Sequence, residues 1–197
     1  MEDTKNAIDR VIKMIDEMPY IFNTEADIKG LVYSELLIEY KEKYKTGRSD
    51  SKGNPLWTNR VHTEYLIREK GGRIDTVVFE TNDIKYINTK EWLGIKEKDP
   101  MVPNDLPYRP VKLQDAIEIK YNGNRGQKAL EKEIKADIDR LEVLLKNNKT
   151  KTSHFIFIIR CPTKNQINAV NNVKKLYENN KIIKFHCNNE YKELFQK

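Results

Sequence analysis

Arg73-Ile-Asp-Thr-Val-Val-Phe79 and Ala116-Ile-Glu-Ile-Lys-Tyr121 are two segments in which β-forming residues surround isolated charges. Strand side chains alternate faces, so Glu118 and Lys120 point one way while Ile117 and Ile119 point the other. Asp75 poses the same problem in its own segment, between Ile74 and the run Val77-Val78-Phe79. A carboxylate or ammonium on an otherwise apolar strand is costly to bury without a partner. If the two strands are neighbours, the three groups meet in one place. A divalent cation then resolves the conflict, because two carboxylates, a backbone carbonyl (here that of Ile119) and waters make the oxygen shell that Mg2+ prefers. Asp75 and Glu118 are thus expected to bind Mg2+ or Mn2+, with Lys120 donating to, or deprotonating, an attacking water. A lone Glu-x-Lys on an exposed edge strand would be mere solvated surface; the apolar neighbours and the mid-strand Asp75 argue otherwise.

Working outward, Val61-His-Thr-Glu-Tyr-Leu-Ile67 alternates and Gly71-Gly72 turns the chain, which predicts an antiparallel hairpin with the Asp75 strand. Upstream, Thr24-Glu-Ala-Asp27 reads as an N-cap followed by Ile28, Leu31, Val32, Leu36 and Leu37, a helix running to about Tyr44. Ile8, Val11, Ile12, Ile15 and Met18 predict an N-terminal helix within residues 1–20, stopped by Pro19. Turn-forming residues crowd 47–55, which is read as a surface loop. Residues 81–113 hold Pro100, Pro103, Pro107 and Pro110 with Trp92, and are read as an insertion over one side of the site. Its Trp92, Tyr86 and Tyr108 are expected to hold it to the body, with base stacking as the alternative.

Beyond Gly126, Leu130, Ile134, Ile138, Leu141 and Leu145 mark a long helix, with Lys128, Lys132 and Lys135 on other faces and Asp137 and Asp139 flanking the stripe, within reach of Arg140 or Lys135. His154-Phe-Ile-Phe-Ile-Ile159 reads as a strand buried on both faces, in the middle of the sheet. Ile167, Val170, Val173 and Leu176 give another helix, and Lys181-Ile-Ile-Lys-Phe185 a last, more polar strand. The order predicts an α/β fold, a mixed β-sheet flanked by helices, in a single domain over 1–197.

With 38% hydrophobic and 34% charged residues in 197, the chain has the composition of a soluble globular protein. Its net charge of +6 and pI near 9.1 suit a polyanionic partner, although plain solubility explains them as well. No stretch approaches a membrane span and the N-terminus lacks a signal-peptide core, so an intracellular, cytoplasmic location without membrane contact is expected. Cys161 and Cys187 lack C-x-x-C spacing and are expected to be reduced thiols; His62, His154 and His186 are scattered, which argues against zinc. No phosphate-binding G-x-x-x-x-G-K-[ST] loop is present, which disfavours a kinase or small-molecule phosphatase.

With Arg73-Ile-Asp75 on the second strand, Glu118-Ile-Lys120 on the third and a glutamate-bearing helix before them, the chain resembles the PD-(D/E)-x-K, restriction-endonuclease-like nuclease superfamily from roughly Thr24 to Ile159. Ile74 stands where the family name has Pro. The resemblance implies an α-β-β-β-α-β core, to which the N-terminal helix and the C-terminal helix and strand are additions. It implies metal-dependent hydrolysis of phosphodiester bonds in nucleic acid, with Asp75 and Glu118 as ligands and Lys120 near the nucleophilic water; the site, the basic charge and the expected intracellular setting together point to DNA as the substrate. It also implies a glutamate from the first core helix. Glu35 is assigned, since seven residues after Ile28 it shares the core stripe; Glu25, which also suits the helix dipole, and Glu64 are the alternatives. Lys128, Lys132 and Lys135 are candidates for phosphate contact, with simple hydration the competing view. Cutting both strands needs two sites, and a homodimer through Ile8, Ile12 and Ile15 would supply them unless these residues pack on the core. The competing function is a catalytically inactive nuclease fold acting as a nucleic-acid-binding or assembly module.

Overall fold

The computed structural model describes residues 2–18, 21–49, 51–66, 72–82, 112–122, 126–159, 163–177 and 183–188. Helices α1 (Glu2–Glu17) and α2 (Glu25–Glu39) come first. Thr24 caps α2 as its sequence predicts: its hydroxyl accepts the Asp27 amide at 3.2 Å, and the Asp27 carboxylate accepts the Thr24 amide at 2.8 Å. The helix ends at Glu39, short of the expected Tyr44. Strands β1 (Tyr44–Ser49) and β2 (Pro55–Thr58) follow as a separate antiparallel ribbon, where the sequence predicts a loop. The turn-formers belong to the ribbon's tip, where Gly53 takes a φ of +82° that other residues rarely adopt. A two-stranded ribbon pairs its backbone groups without any alternation of apolar residues, so the usual strand signal is missing.

Strands β3 (Val61–Leu66), β4 (Arg73–Phe79), β5 (Leu113–Tyr121), β6 (Thr150–Ile158) and β7 (Ile183–Cys187) form one sheet in the order β3-β4-β5-β6-β7. The first three are antiparallel and the last two pairings are parallel. Parallel neighbours need a crossover, and α3 (Gln127–Lys146) and α4 (Lys164–Tyr177) provide the two. The fold is therefore α/β, a mixed sheet flanked by helices. β6 lies between two strands, as its continuous apolar run predicts. β5 begins at Leu113, inside the expected insertion, and β7 runs to Cys187, past the expected end at Phe185, with Lys181 and Ile182 outside the described residues. Residues 83–111, with Trp92, Tyr86 and Tyr108, lie outside the described residues, as do Gly71 and Cys161.

Each face of the sheet has its own core. Toward α1 and α2, Ile117, Ile119, Ile156, Ile158 and Val78 pack with Ile8, Val11, Ile12, Ile28, Val32 and Leu36. Toward α3 and α4, Ile74, Val77, Phe155 and Phe157 pack with Leu130, Ile134, Ile138, Val170 and Val173. Ile8, Ile12 and Ile15 are thus buried within the fold, which corrects their assignment to a dimer surface: this face of α1 is already covered by the sheet and α2. A slip in register at Gln114, between Val78↔Asp115 and Phe79↔Leu113, turns Leu113 to the α3 side and Asp115 to the α1 side. There Thr4 of α1 donates to Asp115 at 2.6 Å, and His154 lies 3.3 Å from Asp115 and 3.0 Å from His186. Among the described residues, no helix is long and apolar enough to cross a membrane.

Candidate active site

The β4–β5 ladder runs from Phe79 to Thr76, which pairs with Ile117, and stops short of Asp75. Continued in the same register, Asp75 would stand opposite Glu118. Instead the Asp75 carboxylate takes the amide of Ile119 at 2.8 Å, so the two strands part around a side chain. On β5 the predicted alternation holds: Ile117 and Ile119 join the core under α2, and Glu118 and Lys120 meet side chains of α3. Asp75, Glu118 and Lys120 are buried at 8%, 1% and 8% exposure, so none is a solvated surface charge.

Each carboxylate has a cation from the protein itself. Lys29 of α2 sits 2.6 Å from Asp75, 3.3 Å from Glu25 and 3.9 Å from Glu64. Arg140 of α3 donates to Glu118 at 2.8 Å and also to Asp137. Lys120 lies 3.2 Å from Asp137, 3.5 Å from Glu25 and 3.7 Å from Glu133. Glu25 closes the arrangement by approaching the Tyr121 amide at 3.4 Å, which brings the first turn of α2 over the end of β5.

These contacts set the charge states. Burial, then the Asp75 and Asp137 carboxylates, push Glu118 well above the ordinary carboxylate value, and Arg140 only partly offsets them. Asp137 is raised too, by burial, against the pull of Lys120 and Arg140. Burial works against the Lys120 ammonium, but Asp137, Glu25 and Glu133 outweigh it and raise its pKa, so Lys120 is a proton donor at neutral pH. Lys29 is raised likewise: burial opposes its charge, and Asp75 and Glu25 prevail. The site holds five carboxylates from α2, β4, β5 and α3 (Glu25, Asp75, Glu118, Glu133 and Asp137) around three cations, with Glu64 at its margin.

Of the residues named from sequence, Asp75, Glu118, Lys120 and Glu25 are brought together, with Glu64 beside Lys29 and Arg73. Glu35 is not among them. Arg10 of α1 holds its carboxylate at 2.7 Å, so the acid on the core stripe serves to join α1 to α2, and this corrects its assignment to the site. The stripe of α2 faces α1 as well as the sheet, which spacing alone does not distinguish. Ile119 enters the contacts through its amide, donated to Asp75. Lys128, Lys132 and Lys135 are exposed on α3. Lys29, Arg140, Asp137 and Glu133 join the site without a sequence signal that points there, beyond the helical pair spacing of Glu25–Lys29 and Asp137–Arg140.

Among the described residues, no three His, Cys, Asp or Glu side chains are grouped so as to hold a metal ion. Comparison of the chain with protein-family models, with curated proteins and with solved structures found no match.

Proposed function

We propose that the chain is a metal-dependent nuclease of the PD-(D/E)-x-K type that hydrolyses phosphodiester bonds in DNA inside the cell. The observation that carries this reading is the parting of β4 and β5 around Asp75, which sets two buried carboxylates on adjacent strands beside the Lys120 ammonium. With the separate β1–β2 ribbon set aside as an insertion between α2 and β3, the order α2-β3-β4-β5-α3-β6 and the mixed sheet support an α-β-β-β-α-β core.

Asp75 and Glu118 offer only oxygen donors, and Glu118 is raised first by burial and then by the neighbouring Asp75 and Asp137 carboxylates, which Arg140 offsets in part. That donor chemistry fits Mg2+ or Mn2+. Asp75 and Glu118 would hold the ion, the Ile119 carbonyl adding an oxygen, and Lys29 or Arg140 would yield its place as counter-charge. Bound there, the ion would supply Lewis-acid polarisation of the scissile phosphate. Lys120, kept protonated by Asp137 and Glu25, orients the attacking water and donates toward the phosphate oxygens rather than acting as a base. Glu25 positions Lys120 and Lys29 together.

Incubation with plasmid, linear, branched and single-stranded DNA in Mg2+ or Mn2+ tests the reading. Cleavage is expected from the wild type and not from Asp75→Ala or Lys120→Ala; cleavage that survives Asp75→Ala removes the mechanism. One observation favours a second reading, a non-catalytic binding module: each of Asp75, Glu118 and Asp137 already has a protein cation. Calorimetry separates the two, since Mg2+ binding by the wild type that is lost in Glu118→Gln supports the enzyme, and no binding by either supports the module. A two-fold pair cutting both strands of a duplex would have to use a surface other than Ile8, Ile12 and Ile15.

A further inference from the structure

The β1–β2 ribbon has no place in the sheet, yet it carries the most exposed tryptophan among the described residues. Trp57 is 60% exposed and its neighbour Leu56 is 41% exposed. Lys45 stands directly opposite Trp57 in the register, and residues opposite one another in an antiparallel pair share a face. An exposed indole and an exposed ammonium therefore lie side by side. Residues 41–58 hold five Lys or Arg (Lys41, Lys43, Lys45, Arg48, Lys52) against Glu42 and Asp50, a net charge of +3, half that of the whole chain.

The root of the ribbon is fixed. Tyr44 packs against the core under α3 and α4, the face toward which Glu118 and Lys120 point. At the other strand, His62 Nε2 lies 3.1 Å from the Thr58 hydroxyl and 2.9 Å from the Asn59 carbonyl, and Arg60 donates to the Phe79 carbonyl at 2.9 Å. The ribbon thus leaves the sheet at the Phe79 end of β4. Asp75 lies four residues along that strand, about 13 Å at ~3.3 Å per residue. That span is about four nucleotide steps at ~3.4 Å per strand.

We propose that the β1–β2 ribbon is a nucleic-acid-binding arm, in which Trp57 stacks on a base and Lys45 and its basic neighbours contact phosphates of the strand whose cleavage site lies at Asp75. An indole face accepts any base and clustered ammonium groups follow the backbone, so the arm gives affinity without sequence preference. The inference rests on the nucleic-acid substrate proposed above, but its test does not need turnover.

The test is fluorescence anisotropy without divalent metal, using a labelled single-stranded oligodeoxynucleotide and the matching duplex. In the Asp75→Ala background, Trp57→Ala is expected to weaken binding about tenfold, Trp57→Phe to restore most of it, and Lys45→Ala to flatten the salt dependence. Unchanged thermal melting of the Trp57 variants checks that the fold is intact. Equal binding with and without Trp57 overturns the proposal, as does wild-type protein that binds neither probe. Light scattering that shows a Trp57-dependent dimer, with no probe bound, also overturns it in favour of self-association. Cleavage with Trp57-independent binding removes the arm and leaves the nuclease; Trp57-dependent binding without cleavage of any DNA does the reverse.

Discussion

Glu118 is the most deeply buried charge in the candidate site, and Arg140 is its counter-ion. Removing one partner of such a pair leaves an uncompensated charge, so Arg140→Met is expected to lose about 3 to 5 kcal/mol in urea unfolding. The companion effect is pH-dependent. The folded state holds the Glu118 proton more tightly than the unfolded chain, so its ionisation subtracts stability as pH rises above the ordinary value of 4.5. Glu118→Gln removes that slope, and unfolding titrations of both proteins across this window are expected to diverge as the pH is raised. The Glu118–Lys120 alternation and the isolated Asp75 were legible in sequence because each charge interrupts a run of β-formers. Lys29 was not, since a lysine near the start of an amphipathic helix looks like every other solvated lysine until the helix is docked.

Helix α2 carries three glutamates, of which Glu25 and Glu35 separate cleanly by position. Glu25 in its first turn reaches Lys29, Lys120 and the Tyr121 amide, while Glu35 is held by Arg10 on α1. Glu25→Gln is therefore expected to weaken Mg2+ binding in calorimetry. Glu35→Gln is expected to leave that heat unchanged and to lower stability by about 1 kcal/mol, the scale of a partly exposed ion pair. Thr24→Ala breaks the capping box and should cost about 1 kcal/mol, and it also loosens the turn that aims Glu25. The cap was legible from Thr24 and Asp27 at fixed spacing, a local signal. The ribbon was not, because its strands lack apolar alternation and its pairing partner is what defines it.

The whole molecule packs two cores on one sheet, and buried histidines on both sides of it, His62 on the α3 side and His186 on the other, are expected to make it acid-sensitive. Burial, then the neighbouring His154 imidazole, push His186 down to about 3, so it is neutral in the folded protein. Unfolded, it takes a proton below its ordinary 6.5, and stability is therefore expected to fall as pH drops through the range below 6.5. Melting temperatures between about pH 4 and pH 8 should show this acid limb, and His186→Asn should reduce it. Under the metal-site reading, Mg2+ raises the melting temperature of the wild type by mass action and leaves Asp75→Ala unmoved.

By itself the sequence determined the α/β order, the faces of β5 and the cap of α2, because these depend on spacing within a few residues. It also indicated that Asp75, Glu118 and Lys120 would each need a partner if their strands were buried. Only the tertiary structure decided which helix end and which cations would meet them, choosing Glu25 over Glu35 and adding Lys29, Asp137 and Arg140. Those choices follow from how α2 and α3 dock on opposite faces of the sheet. Docking is set by the summed packing of both cores, a non-local quantity that no short segment carries.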